Sequence, residues 1–156
     1  MNVVELSSGK KCEIEIKPVE KADYTSLIKG RFFFDWEIER EYEVYKLQII
    51  GAQEILGLIS LERIPEEWRV HIRLLSVSKE NMGKSKKYDK IVGNLITYAA
   101  KIAVIEYAEF ACVSLRPKSQ IARHYIEKYN FNPTGMTLSI EVPEILDLIK
   151  LYDHGK

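Results

Sequence analysis

The sequence predicts an α/β (α+β) domain on a mixed, mainly antiparallel central sheet, and three observations carry that prediction. Apolar and polar residues alternate with period two at Cys12–Lys17 and Arg69–Val77, the mark of strands half buried on a sheet. Between Glu43 and Val77 three strand-like segments follow one another with only turns between them, which implies an antiparallel meander. After Val77 the apolar period changes to that of a helix, and a further short apolar segment follows, so a helix carries the chain between two parallel strands.

Taken in order, Cys12–Lys17 reads as an edge strand and Val19–Lys29 as a short helix ended by Gly30. The aromatic stretch Arg31–Trp36 fits either a second short helix or an extended loop, and periodicity leaves both open. Glu43–Ile50 is rich in β-formers, stops at Gly51-Ala52-Gln53-Glu54, and resumes as the buried run Ile55–Leu61. Ile64–Trp68 is a turn before the Arg69–Val77 strand. Ser78–Lys90 is polar, with Gly83 and five lysines. From Ile91 to about Glu106 the positions Ile91, Leu95, Tyr98, Ala99, Ile102 and Ala103 define an amphipathic helix with Lys90, Asn94, Thr97 and Lys101 on its polar side. Phe110–Leu115 is a strand, Pro117 and Ser119 open a helix with Ile121, Ala122, Tyr125 and Tyr129 inward, and Met136–Val142 is a last strand. Pro143 then begins a closing helix whose inner stripe is Ile145, Leu148, Ile149 and Tyr152.

Composition narrows the function classes. The 156 residues match one domain spanning 1–156, and 46% hydrophobic with 29% charged residues is a globular balance. The 23 basic and 23 acidic residues cancel, so no global field draws in nucleic acid or an anionic membrane, and neither is an expected partner. Cys12 and Cys112 lie far apart in strands, as buried reduced thiols would, and point to a cytoplasmic address. The first residues lack a basic region followed by an apolar stretch, and no apolar run approaches the ~18 residues of a membrane span. His71, His124 and His154 have no metal-ligand spacing, and no metal is expected. The nucleophile-elbow, Walker and dinucleotide motifs are absent from the sequence.

The start of the crossover helix, just past the carboxyl end of a strand, offers backbone N–H groups and a positive dipole end to a phosphate. There the sequence resembles the GNAT superfamily of N-acetyltransferases, in layout over about Cys12–Glu141. The family carries a pyrophosphate loop [Gln/Arg]-x-x-Gly-x-[Gly/Ala] followed by an apolar helix residue. Lys87-Tyr88-Asp89-Lys90-Ile91-Val92-Gly93-Asn94-Leu95 falls in that register, with Lys87 at the basic position, Lys90 and Val92 at the two small ones and Leu95 at the apolar one. A second register over Glu80–Ser85 keeps Gly83 but puts an acid at the basic or amide position and sets the helix start too far downstream, so the first is preferred and Ser78–Lys86 reads as an enlarged connection. In the first register Lys84, Lys86, Lys87 and Lys90 add charge that could hold coenzyme phosphates. The family also shows Asn-x-x-Ala, a helical Tyr and Gly-Phe; Ser119-Gln120-Ile121-Ala122, Tyr125 and Asn130-Phe131 follow that outline, with Tyr125 one position early and Asn130 suited to a positive φ.

The resemblance implies a GNAT-like fold with helices on both faces of the sheet, and acetyl-CoA as cosubstrate without a metal. It implies acyl transfer from the thioester directly to a small-molecule or peptide amine. Leu75, Ser76 and Val77 then match the strand whose backbone binds the pantetheine arm, and Lys87–Asn94 with Ser119 the coenzyme-binding residues. Tyr125 is the candidate acid for the departing thiolate, and His71 and Glu62 are candidate bases. Phe32, Phe33, Phe34 and Trp36 lie where the family places its acceptor loop. The alternative is a GNAT-fold module without turnover, an acyl-CoA sensor or an interaction domain. A homodimer through the last strands or the closing helix is compatible with the residues.

Overall fold

The computed structural model describes residues 1–117, 119–135 and 137–154. Among the described residues nine strands form one sheet: β1 (Asn2–Glu5), β2 (Lys11–Pro18), β3 (Glu43–Ile49), β4 (Ile55–Ile64), β5 (Arg69–Val77), β6 (Tyr88–Asp89), β7 (Cys112–Leu115), β8 (Asn132–Thr134) and β9 (Thr137–Glu141). Four α-helices accompany them: α1 (Asp23–Ser26), α2 (Ile91–Tyr107), α3 (Ser119–Tyr129) and α4 (Val142–Ile149). The sheet order is β6-β1-β2-β3-β4-β5-β7-β9-β8. β3, β4 and β5 lie side by side in chain order, as a meander must, and β5 pairs parallel with β7 after the α2 crossover. β1 pairs antiparallel with β2 and β6, β2 with β3, and β9 with β7 and β8. The expected α+β class and mixed sheet are therefore what the chain adopts.

Two compact units make up the chain: Met1–Ser60 with Leu74–Leu95, and Leu61–Arg73 with Ile96–Lys156. The first contains the cluster Tyr24, Ile28, Phe32, Trp36, Val44, Ile55 and Leu58. A buried ion pair ties its α1 to β3, Lys46 Nζ lying 2.6 Å from Asp23 Oδ2, which also accepts from Glu20 N–H. In the second, Val113, Tyr129, Phe131, Ile140 and Ile145 are buried. Lys101 of α2 pairs there with Asp153 at 2.7 Å.

Several expectations need correction. β2 is an interior strand, because β1 covers its outer side through Asn2↔Glu13 and Val3↔Cys12. The helix over Val19–Lys29 is a single turn, Asp23–Ser26. The open segment becomes turns and a 3-10 helix at Trp36–Glu41, capped by Asp35, whose side chain accepts from Glu37 N–H. β7 begins at Cys112 because a 3-10 turn occupies Ala108–Phe110. Asn94 and Thr97, assigned to the polar side of α2, are fully buried. Cys12 and Cys112 are free but only half buried. The expected start of the last strand at Met136 falls outside the described residues. The stretch Ile91–Phe110 is long and apolar enough to cross a membrane by length and composition, with mean hydropathy 1.3, which the reading by uninterrupted apolar runs overlooked. Half of it is buried within the protein, as in a core helix.

Candidate functional site

β5 is where the sheet changes character. Its ladder to β7 runs from Arg69↔Cys112 to Ile72↔Leu115 and stops, while β5 itself continues to Val77. Cys112 N–H bonds the Trp68 carbonyl at 3.0 Å, which turns the even-numbered residues at the start of β5 toward β7. Ser78 N–H, also even-numbered, instead meets the Leu56 carbonyl of β4 at 2.9 Å. Bonding direction alternates with period two in a regular strand, so β5 slips phase between Ile72 and Ser78. Leu75, Ser76 and Val77 lie in that stretch, with Ser76 buried and its hydroxyl donating to the Val77 carbonyl at 3.3 Å.

The chain then makes two 3-10 turns, Lys79–Asn81 and Gly83–Ser85, held by one buried side chain. Asn81 Nδ2 donates to Ser78 Oγ at 2.9 Å, and Asn81 Oδ1 accepts from Tyr88 N–H at 2.9 Å. β6 follows and pairs with β1 through Val4↔Asp89 and Glu5↔Tyr88. Arg31 closes the outer side: it contacts Glu80 and lies 3.0 Å from Glu54, and its carbonyl accepts from Lys79 N–H. Burial acts to raise the Glu80 pKa, but hydrogen bonds from backbone N–H, the Arg31 guanidinium and the Ser78 hydroxyl hold it at about 2. Neither Asn81 nor Arg31 carries a role in the sequence, since a lone Asn in a polar loop or a lone Arg before an aromatic run forms no pattern.

α2 starts from Lys90, whose carbonyl accepts the first helical bond from Asn94 N–H. Lys90 has φ +77°, the left-handed conformation that the family's glycine would supply. Ile91 and Val92 follow, and their N–H groups have no i−4 helical partner. A lysine therefore holds a left-handed backbone angle at the position where that register puts a glycine.

Other members of that register have different duties. Tyr88 N–H is already taken by Asn81. Asp89 pairs with Lys86 at 2.8 Å, so Lys86 is tied into the loop. Lys87 Nζ lies 5.5 Å from the Tyr88 ring centre, and Lys84, Lys87 and Lys90 are exposed. Asn94 Nδ2 holds the carbonyls of Asn2 and Lys90, at 2.8 and 2.7 Å, so its amide fixes the loop. Gly93 sits in the buried first turn. The approach of α2 to β4 depends on Gly57, another residue the sequence reading passed over.

The candidate proton-transfer residues lie in the second unit. Tyr125 of α3 is half buried among His124, Tyr129 and Phe131, with ring centres about 6 Å apart. Its hydroxyl makes no hydrogen bond among the described residues, and burial pushes its pKa up, which keeps the phenol protonated. Asn130 after α3 has φ +60°, the role anticipated for a glycine replacement. The backbone of Ser119 begins α3, while its side chain lies outside the described residues.

His71 belongs to a network with Ser114 and Arg69. Arg69 NH1, a donor only, lies 2.7 Å from Ser114 Oγ, so the Ser114 hydroxyl donates onward to His71 Nδ1 at 2.8 Å. Burial, then Arg69, lower the His71 pKa and keep the ring neutral, with its proton on Nε2. Its lone pair is therefore already engaged. Glu62 meets Arg73 at 3.6 Å, and Arg63 pairs with Glu106 at 2.7 Å. Burial raises the Cys112 pKa, as befits an unreactive thiol.

Comparison with family models finds no match, and no curated protein matches by sequence. Solved structures do match. A spermidine N-acetyltransferase chimera from Vibrio cholerae and hSSAT superposes with TM-score 0.65 at 14% identity, over 86% of this chain and 98% of that one. A Bacillus subtilis acetyltransferase in complex with CoA gives 0.60 at 15% identity, over 85% and 99%. The Escherichia coli ribosomal-protein-S18-alanine N-acetyltransferase gives 0.58 at 11% identity, over 83% and 94%. At these identities the likeness speaks for architecture. The fold of this chain is that of the GNAT N-acetyltransferases.

Proposed function

We propose that the protein is an acyl-CoA-dependent N-acyltransferase that moves an acetyl group from acetyl-CoA to an amine by direct transfer. The observation that carries this reading is Lys90 at φ +77°, starting α2 just after a strand whose last residues leave the β7 ladder. That arrangement sets a helix N-terminus beside a strand end, which suits a phosphate followed by an extended arm. The fold and its acetyltransferase neighbours support the same chemistry.

Acetyl-CoA supplies an activated thioester. The residues here would hold and orient it: Lys90, Ile91 and Val92 by backbone N–H, exposed Lys84 and Lys87 by charge, and Leu75–Val77 by strand pairing with the arm. Tyr125, protonated and without a hydrogen-bond partner among the described residues, is the group to deliver a proton to the departing sulfur. Glu62, held by one long contact to Arg73, is the better of the two base candidates, because the His71 lone pair is engaged. A cytoplasmic address is part of the proposal, and two cysteines left as free thiols support it.

The engagement of His71 and Glu62 also favours a second reading, coenzyme binding without turnover. One experiment addresses both. Acetyl-CoA at a hundredfold its Kd should stabilise the protein by about 2.7 kcal/mol, read as a rise in Tm. Release of free thiol in the presence of amines supports the transferase; a Tm rise without thiol release supports the sensor. No Tm change with acetyl-CoA or CoA sinks both.

A further inference from the structure

The aromatic segment whose conformation the sequence left open forms the wall of a cavity of about 290 Å³, lined between Tyr24 and Glu37. Tyr24, Ile28, Phe32, Phe34 and Trp36 make the apolar part of the lining. Four of these also belong to the buried cluster of the first unit, and Leu74 of β5 packs against that cluster. Leu74, one residue before the strand segment assigned to the pantetheine arm, thus packs on the same cluster that supplies part of the cavity wall.

Its charges are few. Glu37 Oε2 accepts from Arg40 NH1 at 2.9 Å, so that carboxylate is already paired. Asp35 Oδ1 accepts from Glu37 N–H at 3.1 Å, which leaves Oδ2 with no partner among the described residues. Lys29 is in the same lining and opposes a second positive charge. The aromatic wall is already used to attract a cation on one side, since the Arg40 guanidinium lies 5.0 Å from the Tyr24 ring centre. Trp36 is 1% exposed and its indole N–H has no acceptor, an unmet donor in a wall that a ligand or water would complete.

We infer that the acceptor is a singly charged amine on an aromatic or branched apolar body, with its ammonium at Asp35 and its body against Phe34 and the buried rings. A polyamine would bring further ammonium groups to a site with one unpaired carboxylate oxygen and a lysine. The inference deepens the acyltransferase reading and rests on it for the chemistry, while amine binding itself can be measured without coenzyme.

The test is calorimetric titration of the coenzyme-free protein with phenylethylamine, isoamylamine and spermidine. The first two should bind saturably, and spermidine about tenfold more weakly or worse. Asp35→Asn keeps a capping oxygen but loses the charge, and Phe34→Ala alters a side chain that is 44% exposed, so both should fold. Each should weaken phenylethylamine about tenfold, whereas Ile38→Ala, outside the lining and 70% exposed, should leave it unchanged. Spermidine binding as tightly as phenylethylamine, or binding indifferent to both variants, overturns the inference. Acetyl transfer to spermidine alone would overturn it while leaving the acyltransferase reading intact. Amine binding without any coenzyme binding would uphold this site and remove that reading.

Discussion

Ile91 stands against Gly57 with no room for a methyl group between them: a Cβ built on Gly57 would lie 2.7 Å from Ile91 Cγ2 and 2.9 Å from Leu95 Cδ1. The glycine is needed here for close approach, since the first turn of α2 rests directly on β4. Gly57→Ala should cost about 1–3 kcal/mol in urea unfolding, the usual scale of overpacking. Because the displaced turn carries the Ile91 and Val92 N–H groups, coenzyme affinity should also fall. Adding Ile91→Leu, which removes the β-branch methyl Cγ2, should recover part of both losses; no recovery would mean the strain lies elsewhere.

Lys90 supplies conformation before charge. An L-residue with φ +77° is strained, and a β-branched side chain more so. Lys90→Ile should destabilise by about 1 kcal/mol or more, and Lys90→Gly should leave stability equal or higher, since relief of strain offsets the extra freedom of the unfolded chain. Coenzyme affinity should follow the same order. If Lys90→Gly loses affinity as Lys90→Ile does, charge dominates at this position.

Glu80 gives the protein an acid-sensitive element. Its pKa is about 2 in the fold against the ordinary glutamate value of 4.5, so the folded state binds fewer protons and Glu80 contributes stability above pH 4.5. That contribution is lost as pH falls from 4.5 toward 2. Glu80 keeps 37% of its side-chain surface exposed, so solvent screening limits the effect to about 1 kcal/mol or less. Glu80→Gln should flatten the acid limb of a Tm-against-pH curve over this window; an unchanged limb would refute the assignment.

Tyr125→Phe separates chemistry from packing. With no hydroxyl bond to lose among the described residues, the variant should unfold within about 0.5 kcal/mol of the parent. As the proposed acid, Tyr125 should be worth about 10²–10⁴-fold in kcat. Its raised pKa should place the alkaline fall of the parent's rate above pH 10, the ordinary tyrosine value. A kcat within twofold of the parent would remove the acid role.

What the sequence disclosed follows from how burial is written into it. β3, β4, β5 and α2 are long enough for periods of two and 3.6 to register, and their expected positions agree within a few residues. β1, β6 and β8 span two to four residues, too few for a period, and their partners are distant or on an edge. Missing β1 made β2 look like an edge. Asn94 and Thr97 looked exposed because polar residues on a helix ordinarily are, whereas Asn94 is buried holding the Asn2 and Lys90 carbonyls. At the candidate site the start of α2 at Ile91 was legible from helical spacing. The left-handed Lys90, the Asn81 staple and the Gly57 contact were not, since each depends on a backbone angle or a long-range approach. The aromatic group divided in a way no composition reveals: Phe32 and Trp36 went inside, while Phe33 stayed 65% exposed.

The β1–β6 pairing has a consequence for synthesis. The Asn2–Asn94 bond joins residues 92 positions apart, and β6 offers the outer edge of β1 its partner only at Tyr88–Asp89. At about 5–20 residues per second on the ribosome, the first strand waits several seconds with one edge unpaired. During that interval it is an open template for another chain. Pairing of β1 with β6 is thus also what withdraws that template from neighbouring chains.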